Sequence, residues 1–320
     1  MSAASPLPPP PATQPPAPRR QRLNGRQREA LWGYLFIAPW LIGFLCFVLG
    51  PMLFSLYASF TNYDITSRFD WVGVRNYVQL LTGDQRFWKA LGNTAYYAAF
   101  AVPLGIATGL LIATLLNQEV PGQRFFRTVF FLPKVLTGVA VLLLWLWVFN
   151  PQVGLINTGL YRLGVNENHL PLWFGDPAWS KPALIIMSVW TAAGSFMFYL
   201  AALRGVPRDL YESAQMDGAS PARQFWAVTV PLISPVIFFK LITGISGAMQ
   251  FWSESLVLTK GGPSDSTLFY GLYLWQTAFT DLRMGYASAM AWILLLITLV
   301  ITGLQLWLSK RWVHYEGEVR

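Results

Sequence analysis

Residues 91–116 read LGNTAYYAAFAVPLGIATGLLIATLL, twenty-six residues without an Asp, Glu, Lys or Arg. A helix needs about 20 apolar residues to cross the roughly 30 Å hydrocarbon core of a bilayer. Because lipid offers the backbone no hydrogen-bond partners, a run of this length in lipid must be helical. The stretch therefore predicts a membrane-spanning helix.

The whole chain shares this apolar character. Of its 320 residues 54% are hydrophobic and 12% are charged, against about 25% charged in soluble globular domains, which excludes a water-soluble globule. The net charge of +8 does not indicate nucleic-acid binding, because the basic residues flank the apolar runs instead of forming one basic face. A single cysteine, Cys46, excludes an internal disulfide, and we predict no metal site.

Six runs are long and apolar enough to span a membrane. Two of them carry a lysine near the start, Lys134 and Lys240, whose long side chains can reach the headgroups, and Glu254 is the one acid inside a span. We therefore predict an all-α integral membrane protein, with a six-helix transmembrane domain at 31–310. The predicted spans are 31–60, 91–116, 128–149, 183–203, 235–258 and 287–308.

The distribution of basic residues predicts the orientation. An even number of spans places both termini on one side. If that side is the cytoplasm, the inner segments hold 13 lysines and arginines and the outer loops hold 8. The densest cluster, five arginines, directly precedes the first span, where the positive-inside rule has most force. We predict a multi-pass protein of the bacterial cytoplasmic membrane with both termini, including the tail 311–320, in the cytoplasm.

Residues 1–30 form a leader with two parts. Eight prolines precede Arg19, and such a stretch is predicted to be disordered because it cannot bury apolar surface. The arginine-rich part that follows is predicted to lie against anionic membrane lipid. A cleaved signal peptide is the alternative, but an apolar run of about 30 residues is twice the length of a signal core.

The most polar inner loop, 204–234, shows the pattern of two short helices. Asp209 can cap the first helix and Gly218 can end it. Ser220 and Pro221 can begin the second, because proline at the first helical position loses no hydrogen bond. We also predict that Glu212 lies in the first turn of the first helix. The second helix has an apolar face of Phe225, Trp226 and Val228, and Pro231 and Pro235 end it.

The same loop carries a family motif. Glu212-Ser213-Ala214, Gly218 and Val228-x-Val230-Pro231 resemble the EAA loop of permease subunits from binding-protein-dependent ABC importers. That pattern is E-A-A, three residues, G, nine residues, I-x-L-P, and every spacing agrees. Serine replaces the middle alanine and valines replace Ile and Leu, which leaves the helix faces unchanged.

The resemblance extends over about residues 30–315 and favours the carbohydrate branch, of the maltose and glycerol-phosphate type. Lys260 departs from the usual Thr-Gly-Gly-Gly-Pro form after the fifth span, and the proline-rich leader has no counterpart. The similar motifs are Tyr34-x-Phe36-x-Ala38-Pro39, Asn93-Thr94, Phe126-Arg127-Thr128 with Phe131-Leu132-Pro133, and Leu258-Thr259-Lys260-Gly261-Gly262-Pro263.

The resemblance implies a type I ABC importer permease fold and a defined set of partners. These are a second homologous permease, two cytoplasmic ATPase subunits that hold ATP and magnesium, and an extracytoplasmic solute-binding protein. The chain has no Gly-Lys dipeptide and hence no phosphate loop, so we predict that it binds no cofactor itself. The residues predicted to dock the ATPase are Glu212, Ala214, Asp217, Gly218, Ala219, Ser220, Pro221, Phe225 and Pro231.

Polar and aromatic residues inside two spans indicate a substrate path. On a continuous helix Gly247, Gln250, Glu254 and Val257 would share one stripe. Sugars combine apolar ring faces with hydroxyls and suit such a surface. The alternative is that these groups only hold helices together, which is the role we predict for Gly105-x-x-x-Gly109. The predicted path residues are Gln250, Trp252, Ser253, Glu254, Trp190, Ser195 and Tyr199.

We therefore predict a permease subunit of an ATP-driven ABC importer for a sugar or related polyol. A permease for a non-sugar solute is the first alternative. A secondary transporter would show internal repeats and buried ion-coupling acids, of which the sequence offers only Glu254. No set of catalytic residues is found within the spans, so we predict that the chain is not an enzyme.

Overall fold

The computed structural model describes residues 25–64, 69–118, 121–136 and 138–314. Most of the predicted leader and tail lies outside these residues, although 25–30 are helical. The only strand-type pairing in the described ranges is an isolated bridge between Thr61 and Trp71. The predicted all-α class is confirmed.

Sixteen α-helices occur in the described ranges. The first eight are α1 (Gly25–Phe44), α2 (Gly50–Ser59), α3 (Arg75–Thr82), α4 (Gln85–Asn117), α5 (Gln123–Val135), α6 (Val139–Val148), α7 (Leu155–Arg162) and α8 (Pro177–Ala192). The others are α9 (Phe196–Gly205), α10 (Arg208–Met216), α11 (Pro221–Gln224), α12 (Val230–Leu232), α13 (Ser234–Met249), α14 (Ser253–Leu258), α15 (Tyr270–Trp275) and α16 (Met284–Ser309). The chain divides into two compact units, 1–54 and 55–320, and the sites described below belong to the second.

Four helical segments of the described chain are long and apolar enough to cross a membrane. They are Arg28–Ser59, Gln85–Asn117, Pro177–Gly205 and Met284–Ser309, and they contain four of the predicted spans to within one residue. Two bent pairs raise the number to six if each pair counts as one span. These are α5 with α6, bent by 106°, and Pro221–Leu232 with α13, bent by 67°.

The two remaining predicted spans are not single helices. In 128–149 the helix stops at Val135, and Gly138 adopts a φ of +87° before α6 begins. In 235–258 residues 250–252 leave the helix between α13 and α14. The two aromatic rings at this break pack against residues of other helices. Phe251 stacks on Tyr97 at 4.3 Å and Trp252 stacks on Trp275 at 5.8 Å, so tertiary packing overrides the local apolar run.

Helix α4 is the centre of the second unit and packs against α8, α9 and α13. Glycines permit these close approaches. A Cβ at Gly105 would lie 3.0 Å from the Ala192 Cβ, and one at Gly109 would lie 2.9 Å from the Tyr199 ring. On α13 a Cβ at Gly244 would lie 2.9 Å from a Val102 methyl group. The packing role predicted for Gly105 and Gly109 is confirmed.

The Asn93-Thr94 motif of α4 contacts the segment that follows the motif at 258–263, although the two lie far apart in the chain. The Asn93 Nδ2 donates hydrogen bonds to the carbonyl oxygens of Asp265 and Leu268 at 2.8 and 3.0 Å. The Thr94 hydroxyl accepts one from the Tyr270 N–H at 2.8 Å. Arg86 and Asp265 add an ion pair at 3.2 Å. The segment after the fifth predicted span is thereby fixed to α4.

Asp84 joins three helices at the same end. Its carboxylate caps α4 by accepting from the Phe87 N–H at 3.0 Å. It also accepts from the hydroxyls of Tyr273 and Tyr286 at 2.6 and 2.7 Å, on α15 and at the start of α16. Partial burial raises the pKa of Asp84, but these hydrogen bonds outweigh it and hold the pKa below its usual range.

The chain after α16 returns to the start of α13. The His314 N–H donates to the Ser234 hydroxyl at 3.0 Å, and the Phe238 and Trp312 rings meet edge to face at 5.8 Å. The end of the described chain and the end of segment 208–232 therefore lie close together.

We expect Asp84→Ala to destabilise the protein by about 2–4 kcal/mol, because it removes a helix cap and leaves two tyrosine hydroxyls without their acceptor. Asp176→Ala is the matched control, since Asp176 caps α8 through the Ala178 N–H at 2.8 Å and has no tyrosine partner. Thermal unfolding of the detergent-purified protein measures both. Equal losses in the two variants would show that the tyrosine bonds contribute nothing.

Candidate functional site

The segment 208–232, here called the paired-helix loop, begins with a helix that ends at Gly218. Gly218 has a φ of +73°, the Ala219 N–H bonds to the Ala214 carbonyl at 2.9 Å, and the Gly218 N–H bonds to the Gln215 carbonyl at 2.9 Å. These two bonds form a Schellman motif, the usual helix end with a left-handed glycine. The prediction that Gly218 ends the first helix is confirmed.

The start of this helix differs from the prediction. Pro207 occupies the cap position, and Asp209 lies inside the first turn without a capping hydrogen bond. Glu212 consequently lies in the second turn. A proline before the helix leaves its first N–H groups to solvent, and Asp209 still complements their partial positive charge.

The second helix of the paired-helix loop begins as predicted. The Ser220 hydroxyl accepts from the Arg223 N–H at 3.4 Å, and Pro221 occupies the first turn. The helix passes through a π turn at Phe225–Thr229 and ends at Leu232, with Pro231 in its last turn. Pro235 does not end this helix but lies in the first turn of α13, where its missing N–H costs no hydrogen bond.

Side-chain bonds hold the two helices of the loop together. The hydroxyls of Tyr211 and Thr229 lie 2.9 Å apart, and the Gln224 Nε2 donates to the Ala219 carbonyl at 2.8 Å. Thr229 is buried. Local spacing does not indicate the contact between Tyr211 and Thr229, because these two residues are 18 positions apart. The loop is a compact unit instead of a flexible connection.

The predicted docking residues lie mostly on the open surface of the loop. Glu212, Asp217, Gly218, Ser220 and Pro221 are exposed, and Ala214, Ala219, Phe225 and Pro231 are half-buried. Two large apolar side chains join them: Met216 is 89% exposed and Trp226 is 70% exposed. Exposed apolar side chains that are surrounded by charged residues mark a protein-binding surface, and tryptophan is enriched among the residues that dominate binding energy.

The second candidate site is a cavity of about 440 Å³ bounded by α4, α5, α8, α9, α13 and the start of α14. This volume is within the usual range for small-molecule sites. Of the predicted path residues, Ser195, Tyr199 and Glu254 line it. Their wall also includes Tyr97, whose hydroxyl lies 2.5 Å from that of Ser188 and whose ring stacks on Phe251.

Four predicted path residues are not placed on the cavity wall. The helix break at 250–252 interrupts the predicted stripe and accounts for the three on the fifth span, whereas the fourth, Trp190, lies on α8. Trp190 packs edge to face against Trp145 at 5.5 Å, and Trp252 stacks on Trp275. The Gln250 side chain donates to the Ser246 carbonyl at 3.3 Å, and the Ser253 hydroxyl donates to Glu254 at 2.8 Å.

Two lysines of the predicted spans, Lys134 and Lys240, also line this cavity. The Lys134 Nζ lies 5.1 Å and the Lys240 Nζ 4.9 Å from the centre of the Phe198 ring. Attraction to the ring face holds both ammonium groups there. The sequence signal was present, since a lysine inside an apolar span is rare and marks function.

The comparisons with known proteins agree with one another. The pattern of the family described as binding-protein-dependent transport system inner membrane component matches residues 101–314. The probable ABC transporter permease protein YesP of Bacillus subtilis (strain 168) is 39% identical over 295 residues, covering 91% of this chain and 94% of YesP. The lactose transport system permease protein LacF of Rhizobium radiobacter is 34% identical, covering 87% and 94%.

A third relative is the multiple sugar-binding transport system permease protein MsmF of Streptococcus mutans serotype c, 33% identical, with 88% of this chain and 96% of MsmF covered. Among solved structures, a chain of a bacterial alginate ABC transporter, in complex with alginate pentasaccharide-bound periplasmic protein, superposes with a TM-score of 0.77. The two chains are 24% identical, and the superposition covers 89% of this chain and 96% of the alginate transporter chain, which shows a shared fold.

We expect Gly218→Val to loosen the paired-helix loop. The space around Gly218 is open, so the effect comes from backbone strain alone, about 1–2 kcal/mol for a left-handed residue with a Cβ. Limited trypsin digestion should cut faster at Arg208 and Arg223. Gly205→Val is the control, because Gly205 is equally open but lies in α9 without a positive φ. Unchanged cleavage of the Gly218 variant would contradict the Schellman motif's role.

Proposed function

The chain belongs to the family of binding-protein-dependent transport system inner membrane components, and on this premise we propose that it carries a sugar or related polyol across the membrane. It is a multi-pass inner membrane protein with the type I permease fold, and it is the permease subunit of an ABC importer, not itself an enzyme. The sugar assignment draws support from relatives named for lactose and multiple-sugar transport.

The paired-helix loop is the observation that supports coupling to a separate ATPase. Force can pass from a motor to a membrane domain only through a rigid projection, and the loop is closed by a Schellman motif and by the Tyr211–Thr229 bond. Its exposed Met216 and Trp226 offer apolar anchors, and Glu212 and Asp217 offer charges to basic residues of a partner. We assign this surface to the ATPase.

The proposed assembly contains this chain, a second homologous permease, two ATPase subunits and an extracytoplasmic solute-binding protein. ATP and magnesium would be held by the ATPase subunits. The cavity beside α4 would form part of the path, with Tyr97 and Phe251 facing sugar rings and Ser195, Tyr199 and Glu254 facing hydroxyls.

The orientation in this proposal places the paired-helix loop and both termini in the cytoplasm. The contact between His314 and Ser234 supports a common side for the C-terminal end and the loop. The arginine cluster before the first span supports the inner side for the N-terminus.

We expect Trp226→Ala and Met216→Ala to weaken binding of the ATPase subunits at least about tenfold, because an exposed apolar anchor at the centre of an interface dominates its affinity. Co-purification and substrate-stimulated ATP hydrolysis in the reconstituted complex measure this. Leu163→Ala is the control, since Leu163 is 84% exposed in a different loop. Full ATPase binding by the Trp226 and Met216 variants would refute the docking assignment.

The single cysteine, Cys46, allows a direct test of orientation. In a Cys46→Ser background, we expect Leu163→Cys to react with a membrane-impermeant maleimide in intact spheroplasts. Met216→Cys should react only after the membrane is permeabilised, because we propose that the paired-helix loop lies in the cytoplasm. The reverse labelling pattern would overturn the orientation and with it the site of ATPase docking.

A further inference from the structure

Two lysines that line the cavity beside α4 converge on one aromatic ring. Lys134 is on α5 and Lys240 is on α13, yet both lie over the Phe198 ring, at 5.1 and 4.9 Å from its centre. Their nitrogens are therefore at most 10.0 Å apart, the sum of those two distances. Two like charges at this separation repel each other, and the fold nevertheless holds them on one wall.

The carboxylates of the described chain balance these two charges only in part. Within the part of the chain that the structure describes, neither lysine forms an ion pair. Glu254 lines the same cavity, but its carboxylate accepts from the Ser253 hydroxyl at 2.8 Å and lies beyond ion-pair distance of both lysines. Two ammonium groups and one carboxylate leave the wall with one net positive charge. A charge inside a membrane protein calls for a partner in protein or in the cavity.

Helix α5 approaches the turn between α8 and α9 closely at Lys134. A Cβ at Gly194 would lie 2.7 Å from the Lys134 Cβ, so glycine at position 194 permits this close approach. Nearby, Tyr199 lines the cavity and is fully buried, and its hydroxyl has no hydrogen-bond partner among the described residues. A buried hydroxyl without a partner marks a place where an occupant can bond.

We infer that the cavity receives an anionic saccharide, one whose carboxylate or phosphate group lies between Lys134 and Lys240. This inference rests on the proposed function, because it assigns a charge class to the solute that the permease carries. The Tyr199 hydroxyl donates to the same occupant. Glu254 and Tyr97 face its uncharged hydroxyls and ring, since a carboxylate repels an anion and accepts from a hydroxyl.

The test measures binding to the complete permease–ATPase complex in detergent, without the solute-binding protein, by calorimetric titration. Two matched pairs of probes separate the sources of charge: digalacturonate against galactobiose, and glucose 6-phosphate against glucose. We expect at least one charged probe to bind about tenfold more tightly than its neutral partner, because hydrogen bonds to charged groups contribute most. The charged probe that binds identifies carboxylate or phosphate as the group.

Variants then assign the effect to the two lysines. Lys134→Gln and Lys240→Gln should each weaken the charged probe about tenfold and change the neutral probe less than about twofold. Lys134→Arg and Lys240→Arg keep the charge and should restore most of the affinity. Lys260→Gln is the control, because Lys260 is exposed and outside the cavity. Size-exclusion chromatography checks that each complex stays assembled.

Three results would overturn the inference: equal affinity for charged and neutral probes, no binding of either charged probe at millimolar concentration, or unchanged binding in the Lys→Gln variants. Loss of co-purified phosphatidylglycerol from those variants, with saccharide binding unchanged, would assign the lysines to lipid and also overturn it. If any of these occurs while Trp226→Ala still uncouples the ATPase, the permease function stands and only the charge class fails.

Discussion

The close approach of α4 to its neighbours is the constraint on which the rest of the second unit depends. Without a Cβ at Gly105 and Gly109, α4 lies against α8 and α9, and Gly244 brings α13 to the same helix. In lipid, helices have no hydrophobic drive to associate, and packing of small residues takes its place. The contact between Gly109 and Tyr199 also fixes one wall of the cavity, so the packing that holds the bundle together shapes the candidate path.

Much of the fold was predictable because it follows from local rules. Charge-free runs such as 91–116 identify spans by length alone, and α4 extends over this run. Gly218 and Ser220-Pro221 mark helix ends whose hydrogen bonds involve neighbouring residues, and the structure has both. The motif at 212–231 placed the paired-helix loop correctly for the same reason, since its spacing reflects local geometry.

What the sequence could not reveal depends on contacts between distant residues. The break at 250–252 arises because Phe251 and Trp252 pack on rings from α4 and α15, which no apolar count records. Nothing in the segments of Lys134 and Lys240 indicated the Phe198 ring beside which both ammonium groups lie. Three of the seven predicted path residues line the cavity, and the stripe predicted on the fifth span assumed a helix that the break interrupts.

The π turn at Phe225–Thr229 inserts one residue into the second helix of the paired-helix loop. One residue corresponds to about 100° of rotation, so side chains before and after the turn face directions that an ordinary α-helix would not give. Thr229, the last residue of the π turn, contacts Tyr211. Chimaeras that join half of this helix to half of a homologue lacking the turn would misalign the two faces. Exchange between transporters requires segment 208–232 to be transplanted whole.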